Sequence, residues 1–144
     1  MELNVHTDGG SRGNPGPAAI GVVIEKPDAG TNKSEMVMEF GKKIGETTNN
    51  VAEYTAVIEA LKWLTEFCNS GNIVSTINFY LDSALVVNQI NGTFKVKDAN
   101  LRNILTNVRI LEQGITSRIY YRQIPREQNS QADRQVNLAL DGLI

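Results

Sequence analysis

Hydrophobic and polar residues alternate from the start of the chain. Leu3, Val5 and Thr7 interleave with Asn4, His6 and Asp8, the period of two that marks a strand. Ala18 to Glu25 is an apolar, β-branched run, which predicts a buried strand. Lys26 to Lys33 carries Pro, Asp, Gly and Asn turn signals, and Glu35 to Ile44 predicts a third strand returning antiparallel. From Val51 to Phe67 the pattern changes to helical, with Val57, Ile58, Leu61, Leu64 and Cys68 on one face. Asn49 or Asn50 is the expected N-cap, and Ser70-Gly71-Asn72 the stop. Thr76 to Leu81 predicts a fourth strand ending on Asp82. Ser83 to Ile90 and Asp98 to Glu112 predict helices on either side of an Asn91-Gly92 turn. The second of these carries the stripe Leu101, Ile104, Leu105, Val108 and Leu111. Ser117 to Gln123 predicts a fifth strand, Ile124 to Asn129 a loop, and Ser130 to Leu140 a last helix. A meander of strands followed by helix–strand alternation predicts a mixed α/β sheet. Parallel pairing of the first and fourth strands would set Asp8 and Asp82 at one end of it, where open α/β sheets place ligands.

Two acids break the amphipathic pattern. A helix turns about 100° per residue, so Glu53 lies in line with Val57, Ala60 and Leu64 on the core side. Glu59, Lys62 and Glu66 lie on the opposite, solvated face. Asp133 likewise shares a side with Val136 and Leu140. A first-turn acid suits the helix dipole, but that does not explain an inward direction. An inward charge is paired with a cation or coordinates a metal. Arginine partners and a metal site are the two readings. Asp8 adds a strand-end carboxylate beside the glycine-rich turn Gly9 to Gly16. Acids converging there would repel one another, and Mg²⁺, which takes oxygen ligands and keeps several waters, would relieve this.

Composition narrows the partners. A chain of 144 residues, 41% hydrophobic and 21% charged, is expected to form one domain, residues 1–144, with a substantial core. No apolar run approaches the roughly 18 residues of a membrane span, and the first residues lack a signal-peptide pattern. The lone Cys68 precludes an internal disulfide and reads as a buried structural thiol. A cytoplasmic protein without a membrane partner is the expectation. A net charge of −2 does not mark a general nucleic-acid binder. Phosphate binding would need a local patch, from Lys95 and Lys97 or from Arg118, Arg122 and Arg126; scattered solvated charges are the alternative.

Four motifs in order carry a resemblance: Thr7 to Gly16 (TDGGSRGNPG), Thr48 to Glu53 (TNNVAE), Tyr80 to Ser83 (YLDS) and Asn129 to Asp133 (NSQAD). Each is weak alone; together, across nearly the whole chain, they resemble type 1 ribonuclease H. The resemblance implies a five-stranded mixed sheet, order 3-2-1-4-5, flanked by helices, and endonucleolytic cutting of RNA in RNA–DNA hybrids. Asp8, Glu53, Asp82 and Asp133 match the family's four catalytic, metal-binding acids. It implies two Mg²⁺ ions, with Mn²⁺ able to substitute, and products with 5′-phosphate and 3′-hydroxyl ends. Gly9, Gly10, Asn14, Asn49 and Asn50 match positions that touch the hybrid's minor groove, and Glu53 the contact to a ribose 2′-hydroxyl. Arg126 and Asn129, in the loop before the last acid, and Lys95 with Lys97 are further expected substrate contacts. A monomer without an obligatory protein partner is expected, with some cutting of RNA–RNA duplexes.

The chain departs from the family pattern in three places. Ala84 stands where many relatives have a glutamine that touches a base edge, and Gln123 to Ala132 holds no histidine. The only histidine, His6, reads as a satisfied structural residue on the first strand. Thr93 to Lys97 is a small basic segment where some relatives carry a longer protrusion. Other classes fit less well. Sugar-kinase-like and actin-like ATPases need a second similar domain, and no Gly-x-x-x-x-Gly-Lys-[Ser/Thr] loop is present. A non-catalytic duplex binder has no use for inward acids. An integrase- or resolvase-type nuclease shares the metal logic but not the reason for Asn49-Asn50 and the glycine turn.

Overall fold

A computed structural model describes Met1–Ile144. Five strands form one sheet in the order β3-β2-β1-β4-β5: β1 Glu2–Ser11, β2 Gly16–Pro27, β3 Ser34–Thr47, β4 Thr76–Leu81 and β5 Arg118–Gln123. β1 pairs antiparallel with β2 and parallel with β4. β2 and β3 are antiparallel, β4 and β5 parallel. The helices are α1 Asn49–Asn69, α2 Ala84–Ile90, α3 Ala99–Gln113 and α4 Ser130–Leu140, with a short 3₁₀ turn at Arg126–Gln128. The expected mixed sheet and strand order are therefore present.

The alternation along β1 sets the two layers. Leu3 and Val5 join Val22 and Ile24 in the main core, packed with Val57, Leu61 and Leu64 of α1 and with Val86, Val87, Ile90, Leu101 and Val108 of α2 and α3. The other face of β2 and β3 carries α4, where Val136 and Ala139 close over Ala19.

Several local expectations change. The strand does not stop at Asp8: Gly9, Gly10 and Ser11 pair with Ile20, Ala19 and Ala18, so the turn begins only at Arg12. Thr48, not Asn49 or Asn50, caps α1, its Oγ1 accepting from the Val51 N–H at 3.3 Å. Cys68 is half-buried at the rim of the core rather than sealed within it. Glu59 is half-buried and pairs with Lys42 of β3 at 3.3 Å, so the solvated face of α1 is better represented by the exposed Glu66. His6 stacks on Tyr80 with ring centroids 5.1 Å apart, and its ring makes no hydrogen bond to the protein. Burial pushes its pKa down, Glu25 opposing.

Close backbone approach positions both helices that carry acids. A Cβ on Gly9 would lie 2.3 Å from the Ala52 carbonyl of α1. On the other face, a Cβ on Gly21 would lie 2.1 Å from the Ala132 carbonyl of α4, and one on Gly41 2.3 Å from that of Gln135. No real side chain fits at such distances. At Gly10, by contrast, the nearest atom is a Val136 methyl at 3.8 Å. Gly9→Ala should therefore destabilise the fold by about 1–3 kcal/mol, the usual range for overpacking, while Gly10→Ala should stay within about 0.5 kcal/mol of wild type. Urea denaturation of the two variants checks this.

Candidate active site

Each of the four acids arrives from a different element. Asp8 lies in β1, and Asp82 directly follows β4. The parallel pairing of these strands ends at His6 with Tyr80, and two more residues of the same register set Asp8 opposite Asp82. The β1–β4 ladder itself stops short of these two acids. Glu53 reaches the same end from the first turns of α1 and is buried. One carboxylate oxygen each from Asp8, Glu53 and Asp82 lies within 4.8 Å of the others. Asp133, in the first turn of α4, faces Asp8 from the opposite layer. It is half-buried rather than enclosed. Asn137, one turn further on, donates to its carboxylate at 3.4 Å.

A cavity of about 340 Å³ opens here, lined by Asp8, Glu53 and Asp133 with Gly10, Ser83 and Arg126. A larger one, about 680 Å³, lies at the far end of β1 between Lys26, Lys33, Glu2 and Glu35, away from the convergent acids.

The electrostatics are those of an uncompensated cluster. Asp8 is pushed up to about 7, first by burial and next by the charge of Asp82, with Asp133 adding and a hydrogen bond from protonated Glu53 opposing. Glu53 is pushed well up by burial, then by Asp8 and Asp82, against a lowering contribution from the Gly9 N–H. Its Oε2 is buried with no hydrogen-bond partner. The three ion pairs of the protein, Arg12 with Asp141, Lys42 with Glu59 and Arg109 with Glu112, include none of these four acids. The arginine-partner reading is therefore not realised. A closed set of hard oxygen donors, one of them buried and orphaned, fits a divalent cation such as Mg²⁺ or Mn²⁺.

The remaining expected site residues divide. Gly10, Asn49 and Asn50 line the cavity. Gly9 lines it too, but its missing side chain is required by α1. Asn14 and Asn49 tie the hairpin to the helix start: Asn49 Oδ1 accepts from the Ser11 N–H at 2.9 Å, and Asn14 Oδ1 from the Asn49 N–H at 3.0 Å. Their amide NH₂ groups donate to no protein atom. Arg126 is exposed at the cavity wall and unpaired, Glu127 included. Lys95 and Lys97 are exposed in the α2–α3 loop, outside the cavity. Arg122 is bonded to Asn78 at 3.0 Å and lies over Tyr120, so the Arg118–Arg122–Arg126 group does not form one patch at the site. Asn129 requires correction. At 1% exposure it is an internal residue and does not line the cavity at the acids. Sequence reasoning missed Asn137 and Arg12, which line the cavity from α4 and the β1–β2 turn; an asparagine four residues after Asp133 was the available signal for the first.

Comparison with known proteins follows this geometry. A family model described as reverse transcriptase-like matches residues 6–139. A bifunctional protein of Mycobacterium tuberculosis is 38% identical over 141 residues, 98% of this chain but 36% of that protein. Ribonuclease HI of Halobacterium salinarum is 38% identical over 139 residues, 96% of this chain and 64% of the relative. The chain thus spans about a third of the mycobacterial relative. Among solved structures, ribonuclease H1 of Halobacterium salinarum superposes with a TM-score of 0.85 at 37% identity, covering 99% of both chains. LC11 ribonuclease H1, a protein isolated from compost and solved in complex with an RNA/DNA hybrid, gives 0.87 at 39% identity, covering 98% of both.

The raised carboxyls make a pH prediction for the metal-free protein. The folded state keeps a proton on Asp8 up to about pH 7, whereas the unfolded chain releases it near the ordinary aspartate value of 3.8. Stability from this group is therefore complete below about pH 4 and lost as pH rises towards 7. Glu53 acts in the same direction. In EDTA, wild type should lose melting temperature relative to Asp8→Asn as pH rises through this window. Parallel profiles would contradict the assignment.

Proposed function

The chain belongs to the ribonuclease H family, and on that premise we propose that it is a metal-dependent endonuclease cutting the RNA strand of RNA–DNA hybrids. The observation that carries this reading is the convergence of Glu53, Asp82 and Asp133 on Asp8 from both faces of the sheet, with none of the four acids paired to a protein cation. A duplex-binding module would be repelled by such a cluster. The hybrid bound by LC11 ribonuclease H1 supports the substrate class.

In this reading Asp8, Glu53, Asp82 and Asp133 would hold two divalent cations, Mg²⁺ or Mn²⁺. When bound, such cations supply the charge that activates the attacking water and stabilises the leaving 3′ oxygen, giving 5′-phosphate and 3′-hydroxyl ends. Asp8, which interacts with each of the other three acids, would be a ligand at the centre of the set. In the same reading Glu53 also reads a ribose 2′-hydroxyl, the group that distinguishes RNA from DNA. Gly10 presents backbone without a side chain, and the free NH₂ groups of Asn14 and Asn49, with Asn50, suit sugar edges and carry little sequence information. Arg126, an unpaired cation at the wall, holds the scissile phosphate; its guanidinium does not release a proton at neutral pH and serves no base role. Lys95 and Lys97 meet backbone phosphates further along the duplex.

Residues 1–144 act in this reading as one catalytic domain, monomeric and cytoplasmic. The unpaired Cys68 suits a reducing compartment, and no helix is long and apolar enough to cross a membrane.

The direct test is incubation with matched RNA–DNA, RNA–RNA and DNA–DNA duplexes, with Mg²⁺ and with EDTA. Hybrid RNA should be cut only with metal, RNA–RNA slowly, and DNA–DNA not at all. Equal cutting of DNA–DNA, or full activity in excess EDTA, would overturn the reading. Asp8→Asn and Asp82→Asn should each lose more than about a thousandfold in rate, about 4 kcal/mol of barrier, with hybrid binding retained. Glu66→Gln, on the exposed face of α1, should match wild type. Arg126→Ala should weaken hybrid binding and flatten its salt dependence without moving the pH profile. Unchanged kinetics at every salt concentration would remove Arg126 from the substrate contacts.

A further inference from the structure

Asn129 lies where three parts of the site meet. It occupies the N-cap position of α4 but makes no side-chain capping bond. Its Nδ2 instead donates to the Thr7 carbonyl at 2.9 Å and to Asp82 Oδ2 at 3.2 Å. Both acceptors are oxygens, so only the NH₂ end of the amide can face them. The Oδ1 is left buried with no partner. Asparagine is among the best N-caps, and buried polar atoms are normally paired. This side chain forgoes both advantages to hold two oxygens beside the acids.

The sheet explains why a side chain is needed. The β1–β4 ladder ends at His6 with Tyr80. Past that point the Asn129 amide joins the two chains, with one bond to each. On one side it bonds the carbonyl of Thr7, the residue before Asp8; on the other it bonds the Asp82 carboxylate itself. Its own carbonyl accepts from the Asp133 N–H at 3.1 Å, the bond that starts α4. One residue is thus bonded to Asp82, to the peptide leading into Asp8, and to the backbone of Asp133.

We propose that Asn129 is a positioning residue, which sets Asp82 against Asp8 in the geometry that binds divalent metal. The inference rests on the metal-site reading above but not on the nature of the nucleic acid. Asn129 has no contact with substrate in this role. It fixes the Asp82 carboxylate through a bond to Oδ2, and so sets the direction in which that group would meet a metal. Groups that orient a metal-bound carboxylate usually matter ten- to a hundredfold in affinity or activity.

The test separates positioning from stability. Asn129→Ser keeps a good N-cap residue but cannot reach both oxygens. Asn129→Leu keeps the approximate shape and removes both donors. Melting temperature is titrated with Mn²⁺ for wild type and both variants, each against its own metal-free reference. The half-saturating Mn²⁺ concentration should rise ten- to a hundredfold in both. On hybrid, kcat should fall while KM stays within about twofold of wild type. If Asn129→Leu fails to fold, the serine variant decides. Half-saturation by Mn²⁺ in Asn129→Ser within twofold of wild type, whatever its metal-free melting temperature, would overturn the proposal. A wild type that binds Mn²⁺ yet leaves hybrid intact would instead overturn the nuclease reading, and the Mn²⁺ comparison would still decide the role of Asn129.

Discussion

Two helices lie on this sheet at backbone contact distance, and the four-acid cluster depends on that contact. Gly9 admits the Ala52 carbonyl on one face; Gly21 admits the Ala132 carbonyl on the other. In each helix the next residue is an acid, Glu53 after Ala52 and Asp133 after Ala132. Asp8, Gly21 and Gly41 are successive cross-strand partners, so the row that holds α4 down is the row that carries the central carboxylate. A side chain at Gly9 or Gly21 would lift a helix and carry its acid away from Asp8. The site is therefore built from steric allowances as much as from charges.

The cluster so assembled works against folding. Burial and mutual repulsion keep Asp8 and Glu53 protonated well above the usual carboxylate range, and a buried Glu53 oxygen has no partner. Natural proteins keep such unfavourable arrangements where function requires them. The surrounding fold compensates through a continuous core from β1 to α3. The polar bonds nearby serve alignment: Asn49 and Asn14 fix the turn to α1, Asn137 steadies Asp133, and Asn129 joins Thr7 to Asp82.

Much of this was legible in the chain because it is local. Asp82 ends a short apolar strand, and Glu53 and Asp133 betray themselves by helical phase against Val57 and Val136. Those signals need only a period and a direction. What was not legible depends on distant partners. Nothing near Gly21 or Gly41 announces that α4, about a hundred residues later, rests on them. Gly9 reads as a turn former until its pairing with Ile20 is known. Three consecutive polar residues, Thr48, Asn49 and Asn50, all suit an N-cap, and only the side-chain geometry selects Thr48. Asn129 sits among Arg126, Glu127 and Gln128, which are exposed. Composition gave it an outward direction, whereas its bonds to Thr7 and Asp82 hold it inside.

The account stands on the claim that these four carboxylates are left uncompensated by the protein because divalent metal compensates them. The most direct measurement is a crystal structure of the protein grown with Mn²⁺, with anomalous diffraction recorded at the manganese absorption edge. The account predicts anomalous peaks bounded by Asp8, Glu53, Asp82 and Asp133, with Arg126 still free at the wall. No peak in that cavity at saturating Mn²⁺, or a lysine or arginine turned in to pair with Asp8, would contradict it.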